Sequence, residues 1–181
     1  MMKKYFFVFG FAFMVLCGCL QAKVVVYPKI KDKALVEDSR YAVYIRTADG
    51  VDQWKELQVL SVDVDMDTRS KAAMAQFDMD APVEVKVETA TMKVNEVKIR
   101  PLSRGVQSKR IDEHAFVFRL ERPEKLSIEI NGDRKRNLHL FANDIEKETY
   151  DTMTGDNVVR WNKGSKDIFR KDCRLIYFGP G

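Results

Sequence analysis

Alternation with a period of two runs through most of this chain and constrains its fold more than any other feature. "VEVKVET" sets Val83, Val85 and Val87 against Glu84, Lys86 and Glu88, and "LSIEIN" sets Leu126, Ile128 and Ile130 against Ser127, Glu129 and Asn131. "LSVDVDMD" places Leu60, Val62, Val64 and Met66 opposite Ser61, Asp63, Asp65 and Asp67, and "YAVYIR" and "AFVFRL" are further short runs. Successive side chains of a strand point to opposite faces, so each run reads as a strand with one face in the core and one in water. Turn signals sit between the runs: Ala48-Asp49-Gly50, Ala81-Pro82, Ser103-Arg104-Gly105, Arg122-Pro123-Glu124-Lys125 and Asn131-Gly132-Asp133. The spacing predicts about eight or nine strands from Val24 to Ala142. Many short strands, each with one wet face, predict an all-β chain folded as an antiparallel β-sandwich. One stretch stays ambiguous: "DTRSKAAMAQF" passes for a short helix, whereas "AAMAQFDMD" fits a strand equally well.

The two ends differ from this body. In "MMKKYFFVFGFAFMVLCGCLQA", residues 1–22, Lys3 and Lys4 precede an apolar run from Tyr5 to Leu16 and then small residues. That is the order of a secretory signal peptide, and the run is short of the roughly 20 residues a membrane span needs. "LCGC", Leu16 to Cys19, resembles the bacterial lipobox, with Cys17 where Ala, Ser or Thr is more usual. A cut there makes Cys19 the lipidated first residue of the mature protein, so that the only membrane contact is through an acyl anchor. The competing cut follows Ala22, with Leu20 at −3. The expectation is an exported protein, lipid-anchored in a bacterial cell envelope (outer membrane or periplasm) or extracellular. Residues 23–143 are expected to form the sandwich. From Asn143 the chain turns polar with little alternation, so residues 144–181 read as a linker that ends in the apolar "LIYF" and the turn "GPG".

Charge and composition narrow the functions. The 31 basic and 27 acidic residues give +4, and loss of Lys3 and Lys4 with the signal leaves +2. Nucleic-acid binding needs a clustered, strongly basic surface, so no nucleic-acid partner is expected. Of three cysteines, Cys17 and Cys19 belong to the signal, and Cys173 reads as a buried small hydrophobe. Asp63, Asp65 and Asp67 suggest calcium, but "DVDMDTRSKAAM" has Thr68 where an EF-type loop needs Gly and no Glu at its twelfth position. Alternation already explains their spacing. His114 and His139 lack any nucleophile motif or metal-ligand spacing, and read as turn or strand residues. Arg134, Lys135 and Arg136 flank the Asn-Gly turn, either as contacts to an anionic sugar or headgroup or, more simply, as a solvated hairpin tip. Trp54 and Trp161 are candidates for stacking on a sugar ring, or for ordinary packing. Paired carboxylates for glycoside hydrolysis cannot be chosen by spacing among 27 acids. No catalytic, cofactor-binding or metal-binding residue is nominated, and no cofactor is expected.

Two stretches carry a family resemblance. "RPEKLSIEINGDRKRNLHLFAN", Arg122 to Asn143, resembles the end of the N-terminal β-sandwich of glycoside hydrolase family 28 polygalacturonase-like proteins and of the related family 49 dextranase group. "VKIRPLSRGV", Val97 to Val106, is similar to the middle of that domain, where I-R-P-x-x-x-G is usual. In such enzymes a connecting segment leads to a right-handed parallel β-helix, whose opening strand often ends much like "YFGPG", Tyr177 to Gly181. The resemblance therefore implies an accessory sandwich followed by the first strand of an incomplete β-helix, with the C-terminal β-helix domain as missing partner and a pectin-type polysaccharide as substrate of the whole. A solenoid needs about three or more repeats to bury its core, so one rung has no stack to join. The family's catalytic acids lie on later rungs, in patterns such as N-x-D, a paired D-D, G-H-G and R-x-K. This chain has no D-D pair and no G-H-G. Asn131-Gly132-Asp133 is an N-x-D by letters only, since its context is a hairpin turn. The alternative function is a free-standing carbohydrate-binding or cell-surface interaction module.

Overall fold

The computed structural model describes residues 23–65, 67, 70–145, 158–161 and 175–178, with side chains up to Ile145 except that of Asp65. Residues 1–22, expected to be a signal and including Cys17 and Cys19, and also Cys173, lie outside the described residues, and Trp161 is described by its backbone alone.

Two sheets face each other. Sheet I contains β1 (Val24–Val25), β4 (Leu60–Asp65), β5 (Ser70–Met79), β7 (Val97–Arg100), β10 (Lys125–Ile130) and β11 (Asp133–Asp144). Its order is β1-β5-β11-β10-β7, with β4 also on β5. Sheet II runs β3 (Lys55–Leu57), β2 (Tyr41–Thr47), β6 (Val83–Thr89), β9 (Ala115–Leu120) and β8 (Ser108–Arg110). The alternating residues of "YAVYIR", "VEVKVET", "AFVFRL" and "LSIEIN" fill the space between them. Val43, Ile45, Val83, Val85, Val87, Phe116 and Phe118 from sheet II meet Phe77, Leu126, Ile128, Ile130, Leu138 and Leu140 from sheet I. Each such side chain, once fully buried, contributes about 1.5–3 kcal/mol. This core is the main reason the sandwich holds.

The structure departs from the sequence reading, or decides what it left open, in four places. Among the described residues there are eleven strands from Val24 to Asp144, because β1, β3 and β8 are only two or three residues long and too short to show a period. The ambiguous stretch is strand: Ala73, Ala75, Phe77 and Met79 line the core from β5. Tertiary pairing here overrides the helical preference of alanine. The sandwich is not wholly antiparallel, since β5 and β11 run parallel with Leu138 opposite Ala73 and Ala142 opposite Phe77. After β5 the chain crosses to sheet II at β6, returns to sheet I at β7, crosses again for β8 and β9 and comes back at β10, and the β10–β11 hairpin lays β11 along β5; a parallel pair needs such a long connection.

The fourth departure concerns β4. Its apolar set was expected to face the core. Leu60 pairs with Met74 and Val62 with Ala72, which lie on the side of β5 away from sheet II. Ser61 and Asp63 take the other side, at a rim where Asp63 is exposed and pairs with Lys71 at 3.2 Å. Val64 is 49% exposed. The polar side of β4 can point inward because it sits beyond the covered core, where water reaches it.

The five turns predicted within the sandwich all separate strands, and the turn expected at Gly179 to Gly181 lies outside the described residues. Asn131 and Gly132, at φ of 54° and 77°, form the two-residue β10–β11 turn between Ile130 and Asp133. The Asn131 side chain accepts from the backbone N–H groups of Asn95 and Glu96, at 2.9 and 3.1 Å, and donates to the Lys93 carbonyl at 2.7 Å. Beyond the sandwich, β12 (Val158–Trp161) and β13 (Leu175–Phe178) form a separate two-stranded parallel sheet, with Val158 opposite Leu175 and Trp161 opposite Phe178.

Candidate functional site

The two outer faces of the sandwich differ, and that contrast defines the candidate surfaces. On sheet I one row crosses four strand pairings: Leu60, Met74, His139, Ser127 and Arg100. A neighbouring row carries Gln76, Phe141 and Lys125. On the β4 and β5 side of this face Leu60, Val62 and Met74 form a partly exposed apolar strip over a fully buried Ala72, with Val26, Tyr27, Pro28 and Ile30 bordering Leu60 and Met74, and Phe141 extends the strip onto β11. Leu102, in the short 3-10 turn Leu102–Arg104, is 63% exposed beside it. The turn follows Arg100-Pro101 and ends at Gly105, so the I-R-P-x-x-x-G stretch builds this corner. A shallow hollow of about 540 Å³ lies between Leu102, His139 and Phe141.

The other half of that face is polar and paired. Glu129, 5% exposed, sits 2.6 Å from the Arg100 Nε and 4.0 Å from Arg134. That hydrogen bond holds the Arg100 proton more firmly than in free arginine. Asn137, also nearly inaccessible, donates to the Ser127 hydroxyl. Burial lowers the His139 pKa, so the neutral imidazole is favoured there.

The chain enters and leaves sheet I at the same end. Val24 and Asp144 both pair with Met79, on opposite sides of β5. A second hollow of about 390 Å³, lined by Asn143, Asp144, Pro101 and Lys125 among others, marks the exit. Lys125 and Pro101 also border the apolar hollow, so the exit adjoins it.

Sheet II carries an aromatic and charged cluster on its outer face. Tyr44 lies opposite Lys86, and Arg46 opposite Glu84, which in turn faces Arg119. The Arg46 guanidinium lies 4.4 Å from the centre of the Trp54 ring. The Lys86 amine is 4.3 Å from the Tyr44 ring and 5.5 Å from Trp54. Arg46 pairs with Glu84 at 2.6 Å, and Lys86 with Glu88 at 2.7 Å. Trp54 and Tyr44 remain partly exposed.

The remaining candidates scatter. His114 precedes β9, with Nδ1 3.1 Å from the Met92 carbonyl and Nε2 3.4 Å from Glu113. It is remote in sequence and pairing from His139. Arg136 pairs with Asp133 at 2.9 Å, and its carbonyl accepts from the Tyr41 hydroxyl at 2.8 Å. Asp133 closes the hairpin turn. Burial would raise its pKa, but N–H groups of Arg136 and Lys135 and the Arg136 charge hold it below the usual range. By letters Arg69-Ser70-Lys71 is an R-x-K; Lys71 stands at the start of β5, paired with Asp63. Among the described residues no group of three or more His, Cys, Asp or Glu is placed to hold a metal ion. Sequence reading missed the Tyr44, Arg46 and Lys86 cluster around Trp54. The signal was present, since alternation in "YAVYIR" and "VEVKVET" puts all three on the wet face. Which wet residues become neighbours depends on strand order, which alternation does not encode.

No family model matches the chain, and no curated protein matches its sequence. Among solved structures it is similar to Dex49A from Penicillium minioluteum, with a TM-score of 0.60 and 18% identity. The match covers 84% of this chain and 37% of that one, so the chain spans well under half the length of that neighbour. At that identity the likeness is one of fold.

Proposed function

We propose that this chain is the accessory N-terminal β-sandwich of a secreted polysaccharide-degrading glycoside hydrolase of pectin or polygalacturonan type. Its catalytic part is a parallel β-helix carried by residues beyond this chain. The observation that carries the reading is the apolar strip on the outer face of sheet I, with the partly exposed Leu60, Val62, Met74 and Phe141 in adjoining rows and the more exposed Leu102 at its edge. An outer face turned only to water has no need of such a strip, and an apolar centre with a paired polar rim is the anatomy of an interface. Three further points support it. The chain leaves the sandwich beside this strip. β12 and β13 pair in parallel, as stacked rungs of a β-helix do. The fold is shared with Dex49A, whose name agrees with the family 49 dextranase group that the sequence resembles.

In this role the sandwich braces one flank of the β-helix through sheet I. It contributes no acid or base to hydrolysis. Export, and anchoring through a lipid on Cys19, belong to the same reading. A free-standing carbohydrate-binding or cell-surface module is the second reading, favoured by the Trp54 and Tyr44 cluster on sheet II.

An antibody raised against the sandwich, used on fractionated source cells, tests the proposal by the mass of the native product. A band far above 21.0 kDa in the membrane or secreted fraction is expected. A band at or just below 21.0 kDa would overturn the bracing role and leave a binding module or a nonfunctional remnant, which a glycan-binding assay separates.

A further inference from the structure

We infer that the outer face of sheet II binds a neutral polysaccharide strand, with Trp54 and Tyr44 as stacking surfaces and Arg46, Lys86, Glu84 and Glu88 as partners for its hydroxyls. A sugar ring presents C–H bonds on its faces and hydroxyls around its edge. Its receptor therefore needs exposed aromatic planes beside fixed donors and acceptors. Tyr44, on the outer side of β2, and Trp54, immediately before β3, supply the planes; both rings are partly exposed, with Arg46 packed over Trp54 and Lys86 over Tyr44. Side chains two residues apart on one strand lie roughly 7 Å apart, and neighbouring strands about 4.8 Å, so the cluster spans a patch of ring size or slightly more.

The charged groups are already held in place. Arg46 touches Trp54 at 4.4 Å and Glu84 at 2.6 Å, while Lys86 lies between both rings and pairs with Glu88 at 2.7 Å. Such pairing fixes donors and acceptors before a ligand arrives, which reduces the ordering cost of binding. It also fixes the ligand's charge class. Each cation has its own carboxylate, so the patch has no surplus positive charge with which to hold a polyuronate. The carboxylates of such a chain would instead run past Glu84 and Glu88. A neutral, hydroxyl-rich strand meets no such repulsion and can bond to both members of each pair.

The site lies on the opposite face from the apolar strip of sheet I, so it operates with or without a β-helix downstream. It does not depend on the bracing role.

The test is titration of the full chain, as a Trp161→Phe variant so that Trp54 is its sole tryptophan, with soluble dextran, galactan, xylan and polygalacturonate. Tryptophan fluorescence and calorimetry are read together. At least one neutral polymer is expected to shift Trp54 emission and protect it from acrylamide, while polygalacturonate binds at least about tenfold more weakly. Calorimetry on Trp54→Ala and Tyr44→Leu variants should each show a loss of affinity of about tenfold or more, as anchoring aromatics do. Circular dichroism checks that both variants fold. If Trp54→Ala fails to fold, Tyr44→Leu and the fluorescence protection decide. Absence of binding to every neutral polymer, binding undiminished in the variants, or tighter binding of polygalacturonate would each overturn the inference.

Discussion

Leu140 and Phe141 are neighbours on β11 but face opposite sides of sheet I, and substituting each in turn measures what the two faces contribute. Leu140 is fully buried, between Ala75 and Leu126 in register. Leu140→Ala removes core contacts and leaves a cavity that the two packed sheets cannot close, which costs about 2–5 kcal/mol. Phe141 is partly exposed on the outer face, between Gln76 and Lys125. Only part of its area is out of water, so Phe141→Ala should cost roughly 1–2 kcal/mol, well short of a buried phenylalanine. Urea unfolding of the 181-residue chain, followed by far-ultraviolet circular dichroism, reads both. With a slope of about 1–3 kcal/mol/M for small proteins, the Leu140→Ala midpoint should fall by about 1–2 M and that of Phe141→Ala by clearly less. Equal or reversed costs would refute the assignment of faces, and with it the idea that sheet I reserves apolar area for a partner. In a longer native product whose β-helix covers this face, the same Phe141→Ala change should cost more than it does here.

Two other outcomes follow from local geometry. Gly132→Val forces a β-branched residue to a φ of 77° where its Cβ would meet nothing within 4 Å, so the cost is conformational. A loss of about 1–2 kcal/mol in stability, read as a lowered urea midpoint, is expected, and an unchanged midpoint would count against the two-residue turn. Asp38 is buried, which would raise its pKa, but hydrogen bonds from the Arg40 guanidinium and backbone N–H outweigh this and hold it below the usual range. A depressed folded pKa stabilises above the unfolded value near ~3.9 and is lost as pH falls through the folded value, so Asp38→Asn should flatten the acid side of a stability profile measured below about pH 4.

How much of this was legible beforehand follows from what a period of two encodes. It states that a strand has two faces, and where both neighbours are also alternating strands it identifies the core: Val83, Val85 and Val87 are all fully buried, as are Ile128 and Leu140. It also located the turns, because Gly and Pro report local backbone demands. It did not reveal the short strands, whose existence depends on a longer partner, nor the parallel alignment of β5 with β11, which depends on where the chain returns from sheet II. The resemblance at Val97–Val106 marked the corner at Leu102 without indicating what that corner borders.

The limit is clearest at β4, where both residue sets alternate cleanly and the apolar one still faces away from the core. Nothing within "LSVDVDMD" distinguishes the two orientations, since a shift of one residue in register exchanges every side chain between faces. The orientation is set by β5, whose Phe77 and Met79 are fully committed to the core and so turn Met74 and Ala72 outward. Leu60 and Val62 then follow their partners. The apolar outer strip on which the bracing role rests is therefore a consequence of core packing several residues away. An all-polar β4 partner face would have kept the same sandwich core. That the outward residues are nevertheless leucine, valine and methionine is what calls for a second surface against them.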